Sequence, residues 1–82
     1  MLISGVVRDA TSRPVRHARV YFTDGPEPFP DIAALTGDDG IFSMFVAAVG
    51  NYTLGCSAEG LGSTSVVVTV CGDHDTTVDI EF

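Results

Sequence analysis

Lysine and tryptophan are absent from these 82 residues, cysteine occurs only twice, and no apolar run comes near the roughly 18 residues that a membrane-spanning helix needs. Without such a run no membrane span is expected, and the 45% apolar content fits a soluble globular chain. Without lysine, arginine is the only strongly basic side chain: four arginines stand against eleven aspartates and glutamates, for a formal net charge of −7. Nucleic-acid binding depends on clustered cations that displace counterions from phosphates, and Arg8, Arg13, Arg16 and Arg19 are outnumbered. Nucleic acid is therefore not expected as a partner. The acidity serves solubility first, and its field would also steer a basic partner.

A chain of this length suits one domain over residues 1–82, with roughly 60% of its unfolded surface buried and a stability of about 4 to 12 kcal/mol. A deep internal active site does not fit such a core. The start, Met1-Leu2-Ile3-Ser4-Gly5, has neither a basic segment nor the apolar stretch of a signal peptide. With Met1 taken as the native start, the expected compartment is the cytoplasm.

What the chain does have is alternation. Short runs switch between apolar and polar, broken about every eight to twelve residues by Gly, Asp or Pro, which predicts an all-β, two-sheet sandwich. Ile3 and Val7 face inward on a first strand. Ala18, Val20 and Phe22 face inward on a second, with His17, Arg19, Tyr21 and Thr23 outward. Residues 24–31 carry Pro26, Pro28 and Pro30, which remove three amide donors and predict a loop. A short third strand over 33–36 precedes the turn Gly37-Asp38-Asp39-Gly40, where aspartate bonds its own backbone and glycine supplies positive φ. Phe42, Met44 and Val46 then face inward. Tyr52, Leu54, Cys56 and Ala58 follow on a fifth strand, Val66, Val68 and Val70 on a sixth, and Val78, Ile80 and Phe82 on a seventh. If the fifth and sixth strands are joined at Gly60 to Gly62, partner numbers sum to about 121, which sets Cys56 opposite Ser65 and Cys71 near Gly50. The two thiols then do not meet, and Cys56 is expected to be a small buried hydrophobe.

Four segments together carry a resemblance: Gly5-x-Val7-x-Asp9, Pro14-Val15-x-x-Ala18-x-Val20-x-Phe22, Thr36-x-x-Asp39-Gly40-x-Phe42 and Gly50-x-Tyr52-x-Leu54-x-Cys56-x-Ala58-x-Gly60. In their order and spacing they resemble the carboxypeptidase regulatory-like domain family, over nearly the whole chain. The resemblance implies a seven-stranded Greek-key β-sandwich of the transthyretin-like (prealbumin-like) kind. It also implies Asp39-Gly40 as a hairpin corner, Tyr52 as a large core residue, and a non-catalytic accessory role. Fold alone does not set function. Related surface modules form a Lys to Asn isopeptide bond, which a chain without lysine cannot make. Transthyretin-shaped hydroxyisourate hydrolases end in Tyr-Arg-Gly-Ser, whereas this chain ends Asp79-Ile80-Glu81-Phe82 and offers only His17 as a base. Starch-binding modules of comparable topology stack sugars on exposed aromatics, usually including the tryptophan missing here.

Asp73-His74-Asp75 contains ligand types for a metal, but with two histidines in the chain and no second cluster at ligand spacing, a solvated turn is expected. Asp38 and Asp39 are read as turn residues and not as a calcium cage, which needs about six oxygen ligands. No cofactor and no catalytic residue is expected. The expected contact surface consists of Ile41 and Phe45, on the outward side of the fourth strand, with Val6 from a neighbouring sheet edge and Phe29 from the proline-rich loop. Tyr21 and Val67 form a weaker candidate on the other sheet. The expected function is a non-enzymatic protein-interaction or accessory module, with a protein partner or self-association as a homodimer. A carbohydrate-binding module is the alternative, and a transthyretin-shaped hydrolase the third reading.

Overall fold

The computed structural model describes residues 1–82 except Glu27, Pro30 and Asp73. Alternating side chains are buried on one side only, so each run becomes a strand: β1 (Leu2–Arg8), β2 (Arg19–Asp24), β3 (Ala34–Leu35), β4 (Ile41–Phe45), β5 (Gly50–Ala58), β6 (Gly62–Val70) and β7 (Thr76–Glu81). There is no helix among the described residues. One sheet has the order β4-β1-β7 and the other β3-β2-β5-β6. Neighbours run antiparallel, except β1 and β7, which are parallel. The two-sheet sandwich expected from the alternation, with the seven strands that the resemblance implies for a Greek-key sandwich of this kind, is therefore the fold.

The core lies between the sheets. Ile3, Val7, Phe42, Met44 and Ile80 of the smaller sheet meet Val20, Phe22, Tyr52, Leu54, Cys56, Val68 and Val70 of the larger one. Burying each aliphatic side chain of this size contributes about 1.5 to 3 kcal/mol before chain entropy is counted. Tyr52, 1% exposed, donates its hydroxyl proton to the Ala48 carbonyl at 2.7 Å, so the ring is buried without leaving its polar end unpaired. Phe22 meets Tyr52 with ring centroids 5.4 Å apart and Phe29 at 6.0 Å. The proline-rich loop thus packs over one end of the core. Pro30, one of its three expected prolines, lies outside the described residues.

Four details differ from expectation. The β5–β6 ladder sums to 120, not 121: Cys56 faces Thr64 and Gly50 faces Val70. Partners across a ladder share a face, so an inward even-numbered residue on β5 must meet an inward even-numbered one on β6, and residues 59–61 form the turn that allows it. The third strand shrinks to Ala34–Leu35 because Thr36 keeps only half of the pairing, its N–H donating to the Ala18 carbonyl while its side chain turns inward. Its hydroxyl donates to the Val15 carbonyl at 2.6 Å and accepts the Ala18 N–H at 2.9 Å, tying the β1–β2 connection to the β3–β4 turn. His17 is not on a strand. It sits in the turn before β2 with φ of 59°, its N–H donating to the Thr36 carbonyl. Finally, β1 is the central strand of its sheet, so Val6 does not come from an edge; β4 is the edge strand.

Candidate functional site

The alternation of β4 sends Phe42 and Met44 into the core and Ile41, Ser43 and Phe45 outward. Register on β1 sets Val6 opposite Ile41, Ser4 opposite Ser43 and Leu2 opposite Phe45. Two apolar cross-strand pairs therefore flank a serine pair on one outer face, and such pairs sit about 5 Å apart. Phe45 is 70% exposed and Ile41 54%, while Leu2 and Val6 are half-buried. Single exposed apolar residues are ordinary; here they are contiguous. On the far side of β1 the face becomes polar, where Arg8 pairs with Asp79 at 3.6 Å. Both partners are exposed, so this pair contributes at most about 1 kcal/mol.

Three of the four expected contact residues, Ile41, Phe45 and Val6, share this face. Phe29 does not: it is half-buried against Phe22. It reaches the same neighbourhood from the other direction, lining with Pro28, Phe45, Val46 and Ala47 an open depression of about 420 Å³. A second depression of about 410 Å³ also reaches Phe45, between β4 and the approach to β3, lined by Ile32, Ala33, Ala34, Ser43, Met44 and Phe45. Leu2 and Ile32, the latter 72% exposed, belong to this surface and were not anticipated. The signal for Leu2 was the same period-two alternation that marked Val6; Ile32 lies where the alternation lapses, so no pattern pointed to it.

On the larger sheet Val67 is exposed, but Tyr21 is half-buried over Gly55, its cross-strand partner, so closely that a Cβ at Gly55 would collide with the ring. Tyr21 there covers a glycine in the ladder. His17 borders a shallow polar depression of about 260 Å³ with Arg19, Ser57, Ala58 and Glu59. Its side chain makes no hydrogen bond or ion pair among the described residues, so nothing orients it as a base. The Asp39 carboxylate accepts the Ile41 N–H at 3.1 Å and the Gly40 N–H donates to Gly37, which makes 37–40 a turn. Asp73 lies outside the described residues, while the Asp75 carboxylate approaches the Leu2 N–H at 3.4 Å. Among the described residues no three His, Cys, Asp or Glu side chains converge on a common point for a metal.

Among the described residues, two ionisable groups depart from their ordinary behaviour for structural reasons. Asp9 accepts bonds from the Thr11 hydroxyl and from the Thr11 and Arg13 N–H groups; the hydroxyl bond is the largest of the effects that hold its carboxyl below the usual range. Burial pushes the Cys56 thiol up to about 11. An acid whose folded pKa is raised stabilises the fold below its unfolded pKa, near 9, and that stability is lost as the pH rises through about 11. Denaturation melts between pH 8 and 11 should show a loss that Cys56→Ala removes. Both cysteines are free, Cys56 buried and Cys71 exposed. A thiol reagent at pH 8 should titrate one thiol in the native protein and two after unfolding; two fast-reacting native thiols would contradict this burial.

Two packed sheets, a tyrosine pinned at the start of β5 and an Asp-Gly corner before β4 define a prealbumin-like sandwich. The chain belongs to the carboxypeptidase regulatory-like domain family, whose pattern matches residues 2–82. It is similar to a solved structure of a DUF3823 family protein from Parabacteroides merdae ATCC 43184, with 26% sequence identity and a TM-score of 0.65. That likeness covers 98% of this chain and 44% of the other, so the chain spans less than half of that relative's length. No curated protein sequence matches it.

Proposed function

We propose that this accessory sandwich is a non-catalytic protein-interaction module, with the outer face of β4 and its neighbour β1 as its contact surface. The observation that carries the reading is the contiguity of Ile41, Phe45, Val6 and Leu2 around an edge strand, with two apolar depressions that both reach Phe45. Aromatic anchors beside pockets are what contribute most to protein interfaces. Carbohydrate binding has less in its favour: among the described residues Phe45 is the only exposed aromatic, and one ring makes a small stacking platform.

Affinity capture with the wild-type domain and with Ile41→Asp and Phe45→Asp as baits tests this. Substitutions at exposed sites change stability by only about 0.5 kcal/mol, so both baits should fold. A protein retained by the wild type and lost by both variants is the expected result. Equal capture by all three baits moves the contact elsewhere, and retention on a glycan array would establish the carbohydrate reading in its place.

A further inference from the structure

We propose that β4 accepts an extended, lysine- or arginine-bearing segment of a partner protein as an added strand, lying between the free edge of β4 and residues 32–34. This rests on the interaction reading above and adds how the partner is held and what chemistry it carries.

The backbone is the first argument. In an antiparallel pair, residues alternate between bonding their partner and pointing their N–H and C=O away from it. Met1 and Val46 exchange both bonds, at 2.8 and 2.9 Å, and the Val7 N–H donates to the Gly40 carbonyl. Counting inward from both ends, Phe42 and Met44 bond β1, while Ile41, Ser43 and Phe45 point outward from the sheet edge. Ile41 is satisfied locally, its N–H by the Asp39 carboxylate and its carbonyl by the Gly37 N–H. The N–H and C=O groups of Ser43 and Phe45 have no hydrogen-bond partner among the described residues. Continuous register, without bulge or proline, leaves this edge unprotected.

Room is the second. An added strand would point its side chains alternately outward and into the depression between Met44 and residues 32–34, where two alanines leave space. An inward residue of the segment is thus apolar. Outward residues lie beside Ile41 and Phe45, where a long aliphatic stem with a polar head suits both the apolar side chains and the water.

Charge selects the occupant. The crevice lining itself is uncharged, but Asp31 adjoins Ile32 in the chain, Asp38 and Asp39 stand in the turn that leads into β4, and residues 20–73 contain no arginine, lysine or histidine. The ion pair seen among the described residues, Arg8 with Asp79, is on the other side of β1. A second copy pairing β4 with β4 would bring together two chains that each carry a net charge of −7. A cationic segment meets no such penalty.

The probe is a labelled peptide, Lys-Val-Lys-Val-Lys-Val-Lys, compared at low salt with its Glu-for-Lys counterpart and with a copy N-methylated at every second amide. Binding at least about tenfold tighter for the lysine peptide is expected, as is loss of that advantage at high salt and on N-methylation. The Ser43 and Phe45 amides should gain about tenfold protection from hydrogen exchange. Ser43→Pro removes an edge donor without removing a bond to β1, and should weaken binding about tenfold. Binding lost in Phe45→Asp but unchanged in Ser43→Pro and by N-methylation would overturn strand addition while leaving the contact face standing. Equal binding of both peptides, or of neither, overturns the proposal. A concentration-dependent dimer abolished by Ser43→Pro gives the edge to a second copy and overturns it too.

Discussion

Gly5→Ala is expected to destabilise the protein by about 3 kcal/mol or more, a large share of the whole stability of a domain this small. Gly5 sits on the central strand of the smaller sheet, between Phe42 on β4 and Val78 on β7. A Cβ there would collide with the Val78 carbonyl oxygen and stand 3.1 Å from Cε1 of the Phe42 ring. A flexible side chain can move aside; a ladder carbonyl cannot do so without shifting β7, which carries Ile80 into the core. Chemical denaturation should show a lower midpoint with little change in slope. A loss below about 1 kcal/mol would show that β7 slides freely against β1, contrary to a close-packed interior.

Thr36→Val should cost about 2 to 4 kcal/mol although the two side chains are nearly the same size. Thr36 is 2% exposed, and its hydroxyl both donates to the Val15 carbonyl and accepts the Ala18 N–H. Valine fills the space and leaves the buried Ala18 N–H and the part-buried Val15 carbonyl without this partner, which costs more than a missing contact. Thr36→Ser keeps both bonds and deletes one methyl, so it should cost only about 1 kcal/mol. Thermal melts of the two variants side by side separate the polar role from the packing role. Equal losses would mean that the hydroxyl contributes no more than the methyl, and an unchanged melt for Thr36→Val that it contributes nothing.

Strand count and inward faces were legible in the chain because burial on one face writes itself as a period of two, and Ile3, Val20, Phe42, Tyr52 and Val68 follow it. Turn chemistry was legible for the same local reason: Asp39 and Gly40 need only their own backbone to make a corner. Partner identity across a ladder was harder. Adding one residue to a turn leaves every local preference intact, so a ladder summing to 121 sets Cys56 opposite Ser65 where the structure pairs it with Thr64. Thr36 looked like the last residue of a strand, and nothing local says that its hydroxyl meets Val15 and Ala18, which are 21 and 18 positions away.

The contact surface divides along the same line. Sequence by itself determined that Ile41, Phe45 and Val6 face outward, because orientation relative to a strand's own neighbours is a local property. Only the tertiary structure decided that β1 is central and β4 an edge, that Leu2 and Ile32 join the surface, and that Phe29 turns from a loop tip into a core-packed wall beside Phe45. Those outcomes depend on which strands become neighbours, and that is set by the burial of the whole core and not by any one segment.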